Sequence, residues 1–186
     1  NAIPMARVRT PDLESNGIAM PSGHDPGSAD FVWKGRFNLP LYLDTWDGYP
    51  WARERLYQQC TDIGVQDLVV LTGDSHSFWA NTLHDQSGVP MGVEIATAGI
   101  SSPGDFISQG FDTTTAARLD QLVADYNQQV NWTTTLYQGY VRPTLDPTKM
   151  LVDYVAVSTV RQRDFDVEVI RRETVSHEDA TLAYVK

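Results

Sequence analysis

An apolar run that stops at a glycine constrains the fold of this 186-residue chain more than any other feature. Residues 68–71 read Leu-Val-Val-Leu, Thr-Gly follows, and Asp74 and His76 come next. A short apolar run bounded by turn residues is typical of a strand buried on both faces, as in the parallel part of an α/β sheet. The run therefore predicts such a strand. Asp74 and His76 would lie at its carboxyl end, where open α/β sheets place their functional groups.

The residues before this run predict a helix. Pro50 suits its first turn, and Gly64 tolerates the left-handed backbone that ends many helices. Apolar residues recur on one face at helical spacing: Ala52, Leu56, Cys60 and Ile63. Cys60 is the only cysteine, which excludes an internal disulfide, and we expect it to be a small core residue.

The rest of the chain predicts a second strand at 93–98 and a helix over 113–129 capped by Asp112. Strands are then expected at 133–141, 150–160 and 165–171, the last two as a hairpin. In the last strand Phe165, Val167 and Val169 share one face, whereas Ile170 interrupts the polar face. Together these elements predict one α/β domain with a C-terminal antiparallel strand meander.

Charge and hydropathy exclude two classes of protein. The net charge is −10, from 24 acidic and 14 basic residues, which disfavours binding to nucleic acid. No segment approaches the roughly 18 apolar residues of a transmembrane helix. Bound metal cations would make the electrostatic potential positive locally, which would allow a small phosphate ester to bind.

The Asp74-x-His76 pair brings a carboxylate and an imidazole within one turn, which is a common way to hold a catalytic metal. From the spacing alone an ordinary alternative stays open: Asp74 caps a following helix and His76 makes a common polar contact. Ser75 and Ser77 are expected to be solvated, with phosphate binding as the alternative.

Three phrases occur in order along the chain: Asp44-x-Trp46-Asp47-Gly48-Tyr49-Pro50, Gly73-Asp74-x-His76-Ser77-x-Trp79-Ala80-Asn81, and Ile100-Ser101-Ser102-Pro103-Gly104. With the later phrase Tyr137-Gln138-Gly139-Tyr140-Val141, they make the chain resemble the alkaline phosphatase D (PhoD-like) family of metallophosphoesterases. The resemblance extends to about residue 172.

This resemblance implies that residues 1–186 are the C-terminal portion of one catalytic domain, half of a four-layer αββα sandwich. A leader, an N-terminal β domain and the upstream half would precede residue 1. A half-sandwich exposes an apolar sheet face, which leads us to expect the upstream half as a second chain. The resemblance also implies export to the periplasm or the exterior.

The implied activity is metal-dependent hydrolysis of phosphate esters by water, at a site of two or more metals with calcium and iron as a plausible pair. Asp74 and His76 would be metal ligands, and the cysteine and tyrosine ligands of iron would lie upstream. Asn81 would touch phosphate or orient a ligand, or else cap a helix. Asp47 and Tyr49 would line the pocket mouth, although Asp47 also suits a helix N-cap.

Two alternatives remain open: a fragment that packs against the upstream half without activity of its own, and another metallohydrolase such as a phospholipase D-like phosphodiesterase. A serine nucleophile at Ser101 or Ser102 is disfavoured because the chain has no G-x-S-x-G elbow. His24, in a Gly/Pro/Ser-rich loop, and His84, in a turn, are expected to be exposed. Glu94 is the odd residue in an apolar strand, and we expect it at a sheet edge or paired with a basic residue.

Overall fold

The computed structural model describes residues 2–22, 29–178 and 181–185. The helices are α1 (Ala29–Arg36), α2 (Pro50–Asp62), α3 (Asp105–Ser108) and α4 (Thr113–Tyr126), with a 3-10 turn at Trp46–Gly48. The strands are β1 (Leu68–Thr72), β2 (Phe78–His84), β3 (Pro90–Ala96), β4 (Val130–Thr134), β5 (Gln138–Leu145), β6 (Lys149–Val157), β7 (Val167–Glu178) and β8 (Thr181–Tyr184). The fold is therefore mixed α/β, as the sequence predicts.

The first sheet has the strand order β1-β3-β2-β4. Strand β1 runs parallel to β3, whereas β2 runs antiparallel to both β3 and β4. The predicted strands at the apolar run and near residue 93 are confirmed, but β2 was not predicted. The turn expected around His84 is wrong, because this residue ends β2 and is partly buried. Burial and the neighbouring Arg7 lower the pKa of His84.

The second sheet is the predicted antiparallel meander, in the order β5-β6-β7-β8. The single strand predicted at 133–141 is wrong, because its residues are divided between β4 in the first sheet and β5 in the second. It packs on one face of the first sheet through an apolar cluster that includes Phe78, Ile95 and Val152. Two tyrosine hydroxyls also join the layers: Tyr154 donates to the Trp79 carbonyl at 3.0 Å, and Tyr184 donates to the Glu94 carbonyl at 2.9 Å. Strand β8 therefore lies over β3.

The opposite face of the first sheet is covered by the helices and the N-terminal segment. Its core unites side chains from α1, α2, α4, β2 and β3, among them Phe31, Tyr57, Leu119, Leu83 and Met91. The predicted N-cap of α4 is confirmed, since the Asp112 carboxylate accepts from the Thr115 amide at 2.9 Å. The described residues thus form three layers: helices, sheet and sheet.

Two predicted burial patterns are wrong. Strand β1 is an edge strand, and its Val69 and Leu71 side chains are 42% and 52% exposed, because the second sheet does not extend over them. Helix α2 has the predicted extent, but Ala52 and Ile63 are exposed. Its fully buried residues are Arg53 and Tyr57. Arg53 can be buried because it forms an ion pair with Asp47 inside the protein.

The expected outer face of the last strand is also reversed. Strand β7 pairs Tyr154 with Arg171 and Val155 with Val169, which leaves Ile170 as the extra residue of a β-bulge. Ile170 consequently packs against the core between the sheets, whereas Val167 and Val169 are exposed. Among the helices of the described ranges, none has the length and apolar character needed to cross a membrane.

Candidate active-site loop

The loop of residues 73–77 leaves the carboxyl end of β1 and carries the predicted ligand pair. Asp74 and His76 are both exposed, and both have left-handed backbones, with φ values of 69° and 54°. Such a conformation costs a residue with a side chain on the order of 1–3 kcal/mol, and it persists only where the surroundings hold it. Since β2 follows rather than a helix, the interpretation of Asp74 as a helix cap is wrong.

The two serines of this loop point inward and stabilise it. Ser75 and Ser77 are 8% and 0% exposed, so the expectation of solvated serines is wrong. The Ser75 amide donates to the Gly73 carbonyl at 2.8 Å, and the Ser75 hydroxyl accepts from the Trp79 indole at 3.0 Å. The loop thus alternates two exposed side chains, those of Asp74 and His76, with two buried ones.

Asp105 also belongs to this site, although it was not among the predicted site residues. Its carboxylate Oδ2 accepts from the Ser77 hydroxyl at 3.2 Å and from the Tyr42 phenol. Burial raises the pKa of Asp105 to about 6, against the opposing effects of these two hydrogen bonds and of nearby His76. The only sequence signal was its position directly after the Ser-Ser-Pro-Gly phrase.

Asn81 lies in the interior of β2, so its interpretation as a helix cap is wrong. Its side chain is fully buried, and its amide donates to Glu94 Oε2 at 3.0 Å. The Glu94 carboxylate also accepts from the Met5 and Ala6 amides and from the Thr72 hydroxyl. Strand β3 is internal to the sheet, so Glu94 is not at an edge, and none of its four hydrogen-bond donors among the described residues is a basic side chain.

Asp47 is buried in the 3-10 turn and forms an ion pair with Arg53. Its Oδ1 accepts from both terminal guanidinium nitrogens of Arg53, each at 3.2 Å. The interpretation of Asp47 as an N-cap is wrong, because Thr45 caps this turn. Tyr49, which directly follows the turn, is 62% exposed.

The predicted site residues therefore fall into two environments. Asp74 and His76 are exposed together on one loop, and Tyr49 is exposed after a different turn. Asp47 and Asn81 are interior and line a common cavity of about 10 Å³. His24 lies outside the residues that the structure describes.

The loop carries two side chains of the types that bind metal ions. Across residues 2–22, 29–178 and 181–185, no group of three or more His, Cys, Asp and Glu side chains could hold a metal ion. The loop nevertheless presents one carboxylate and one imidazole to solvent, and both are common ligands of hard or borderline cations. This chain can therefore supply two ligands, and a complete site needs more.

The sequence places this site in a known class of proteins. The profile of the PhoD-like phosphatase family matches residues 1–154, so the chain belongs to that family. This agrees with the resemblance carried by the Trp-Asp-Gly-Tyr and Gly-Asp-x-His phrases.

Two particular relatives give the scale of the similarity. The chain is 33% identical to alkaline phosphatase D of Bacillus subtilis (strain 168) over 149 residues, which cover 75% of this chain and 24% of the relative. A solved structure titled "Structure of PhoD" matches with a TM-score of 0.60 and 25% identity, over 77% of this chain and 27% of that one. The chain thus spans about a quarter of the length of the relatives that it matches.

Proposed function

We propose that this chain forms the C-terminal portion of a metal-dependent phosphate-ester hydrolase with water as the nucleophile. The observation that carries the proposal is the 73–77 loop, where Asp74 and His76 are exposed in strained conformations while Ser75 and Ser77 are buried. Backbone strain of this kind concentrates at functional sites. Family membership supplies the class of reaction.

In this proposal Asp74 and His76 are metal ligands, and calcium together with iron is the pair that the family resemblance favours. Metal ions at such a site lower the pKa of bound water and stabilise charge on the phosphoryl oxygens. The Asp74 carboxylate and the His76 imidazole hold their donor atoms on the solvent side of the sheet edge. The hydrogen bonds of the buried serines constrain the backbone between them.

The remaining predicted residues have supporting roles in the proposal. Tyr49 is exposed and can donate a phenolic hydrogen bond to the ester, and the Asp47–Arg53 ion pair stabilises the turn before it. Asn81 is fully buried, so we assign it to the support of β2 beneath the loop rather than to contact with phosphate. A phosphate monoester or diester is the expected substrate.

We further propose that an upstream half of the catalytic domain completes the site and the four-layer sandwich. The exposed Val69 and Leu71 side chains lie on the edge strand of the first sheet, and β8 forms the edge of the second sheet above β3. Both sheets therefore end on the same side of the domain, and the exposed Val69 and Leu71 side chains form an apolar surface there. The upstream half would cover this surface and bring the missing ligands, and family resemblance favours export of the whole enzyme.

Substitution of Asp74 in the protein that includes the upstream half tests the proposed activity. We expect Asp74→Ala to lower kcat/KM for p-nitrophenyl phosphate by more than the roughly 10–100-fold that outer partners of metal ligands cost. Asp67→Ala is the matched control, since Asp67 is an exposed aspartate just before the opposite end of β1. An unchanged kcat/KM of Asp74→Ala at saturating metal would refute the assignment.

A second candidate is a structural fragment without activity of its own, which is favoured by the lack of a metal-holding group among the described residues. Mixing this chain with the separately produced upstream segment distinguishes the two. Turnover restored only by the mixture, and lost again with Asp74→Ala, supports the shared site. Turnover by the upstream segment alone supports the structural role. Comparison of monoester and diester rates then identifies a phosphodiesterase.

A further inference from the structure

The strained 73–77 loop requires an anchor outside itself. Two of its five residues have left-handed backbones without being glycine. Inside the loop, the Ser75 amide donates to the Gly73 carbonyl at 2.8 Å, and the Ser75 hydroxyl donates to the Ser77 carbonyl at 3.4 Å. Side-chain contacts of both serines leave the loop: the Ser75 hydroxyl accepts from the Trp79 indole of β2, and the Ser77 hydroxyl donates to Asp105. The position of this carboxylate is therefore coupled to the conformation of the loop.

Asp105 is itself held rigidly by the surrounding fold. It is the first residue of α3, and Gly104 before it packs so closely on Thr135 that an added Cβ would lie 2.1 Å from the Thr135 carbonyl oxygen. The Thr135 amide in turn donates to the Asp120 carboxylate of α4 at 3.0 Å. Strand β4 and helix α4 thus fix the point from which Asp105 reaches the loop.

Tyr42 completes the anchor from the opposite side. Its phenol donates to the same carboxylate oxygen as Ser77, and its ring packs against the core between the helices and the first sheet. One oxygen with two donors fixes the direction of the carboxylate, since each hydrogen bond constrains its rotation. Tyr42 and Asp105 together form a short chain of contacts from the core to the loop.

We propose that Asp105, oriented by Tyr42, is a positioning residue that maintains the left-handed backbones of Asp74 and His76. The functional part of this inference rests on the proposed hydrolase activity. The conformational part does not, because it concerns only contacts within this chain. Asp105 need not touch the ester, since it acts through the Ser77 hydroxyl.

Amide hydrogen exchange at Ser75, measured by NMR, tests the conformational part without metal or substrate. Removal of a hydrogen bond to a charged acceptor is expected to accelerate exchange at Ser75 by about tenfold or more in Asp105→Ala. Ser77→Ala removes the same bond from the loop side and should act similarly, which keeps the test valid if Asp105→Ala fails to fold. Asp105→Asn retains an acceptor oxygen and should have a clearly smaller effect.

The control is Asp112→Asn, which changes an equally well bonded carboxylate at the N-terminus of α4. This substitution should leave amide exchange at Ser75 unchanged, whereas any acceleration should be confined to the amides of α4. The proposal is overturned if Ser75 exchange is unaffected by Asp105→Ala and Ser77→Ala, or accelerates only as much as the α4 amides do. It is equally overturned if Asp105→Asn is as damaging as Asp105→Ala.

Activity of the complete enzyme provides the second readout. We expect Asp105→Ala to lower kcat/KM by about 10–100-fold, as is typical of residues that orient metal ligands, and Asp105→Asn to restore part of it. If Asp74→Ala leaves turnover intact, the proposed function fails while the exchange result still decides the role of Asp105. If exchange responds but kcat/KM does not, the positioning role in catalysis is wrong.

Discussion

Glu94 offers the most direct test of how this fold is held together. Its fully buried carboxylate accepts four hydrogen bonds, two at each oxygen. Oε1 accepts from the Met5 amide at 2.6 Å and the Thr72 hydroxyl at 2.8 Å. Oε2 accepts from the Ala6 amide and the Asn81 side chain, both at 3.0 Å. The N-terminal segment is thereby attached to the central strand of the first sheet.

The substitution Glu94→Gln preserves the shape of the side chain and removes one acceptor atom. Whichever way the new amide turns, its NH2 group faces two of the four donors and cannot accept from them. A buried donor without a partner costs about 1–3 kcal/mol, so two of them lower the free energy of unfolding by about 2–6 kcal/mol. That is a large share of the roughly 5–15 kcal/mol that stabilises a typical domain.

Urea unfolding at pH 7, followed by far-UV circular dichroism, measures this difference. Glu168→Gln is the matched control, because Glu168 is exposed on β7 and its substitution should stay within about 0.5 kcal/mol of the native protein. Amide exchange at Met5 and Ala6 should also accelerate in Glu94→Gln. A loss below about 1 kcal/mol would show that water or rearrangement satisfies the donors, and would refute the reasoning.

Three further predictions follow from other buried and exposed groups. Burial raises the pKa of Asp120 to about 6, so the folded protein retains a proton that the unfolded chain loses, and the contribution of this group to stability falls as pH rises from about 4 to 6. Asp120→Asn should reduce this fall, measured as urea midpoints across that pH range. An unchanged pH dependence would contradict the prediction. Arg53→Met should lower the free energy of unfolding by about 3–5 kcal/mol, because Asp47 remains buried without its partner. Adding Asp47→Leu should restore part of this stability in thermal or urea unfolding, and fully additive losses would argue against the pair. Val69→Thr and Leu71→Thr should barely change the stability of this chain. They should weaken its binding to the upstream segment, measured by calorimetry, and an unchanged affinity would exclude this surface as the contact.

Local features of the chain could be predicted because short-range physics governs them. Pro50 and Gly64 bracket α2, and Asp112 caps α4 as expected. Strand β1 and the position of Asp74 and His76 after it could also be read from the apolar run. Each of these depends on residues within one turn or one strand of each other, so no knowledge of distant partners is needed.

The errors occurred where a residue's role depends on a distant partner. Asn81 was expected to contact phosphate, orient a ligand or cap a helix, yet it lies inside β2, where Glu94 accepts the hydrogen bond of its side-chain amide. Asp47 suited a helix cap, but Thr45 caps the turn and the Asp47 carboxylate pairs with Arg53, six residues along the chain, inside the protein. Ile170 faces the core only because a β-bulge shifts the register of β7 against β6.

The sequence by itself determined the class of fold, several of its helices and strands, the family and the loop that carries the candidate ligands. The tertiary structure decided which polar groups are interior, that β1 is an edge strand, and that Asp105 accepts a hydrogen bond from Ser77 of the loop, 28 residues away. The physical reason is that a hydrogen bond such as that between Met5 and Glu94 spans 89 residues of chain. Hydrophobic periodicity and capping leave a local signature, whereas such a contact exists only once packing has brought its two ends together.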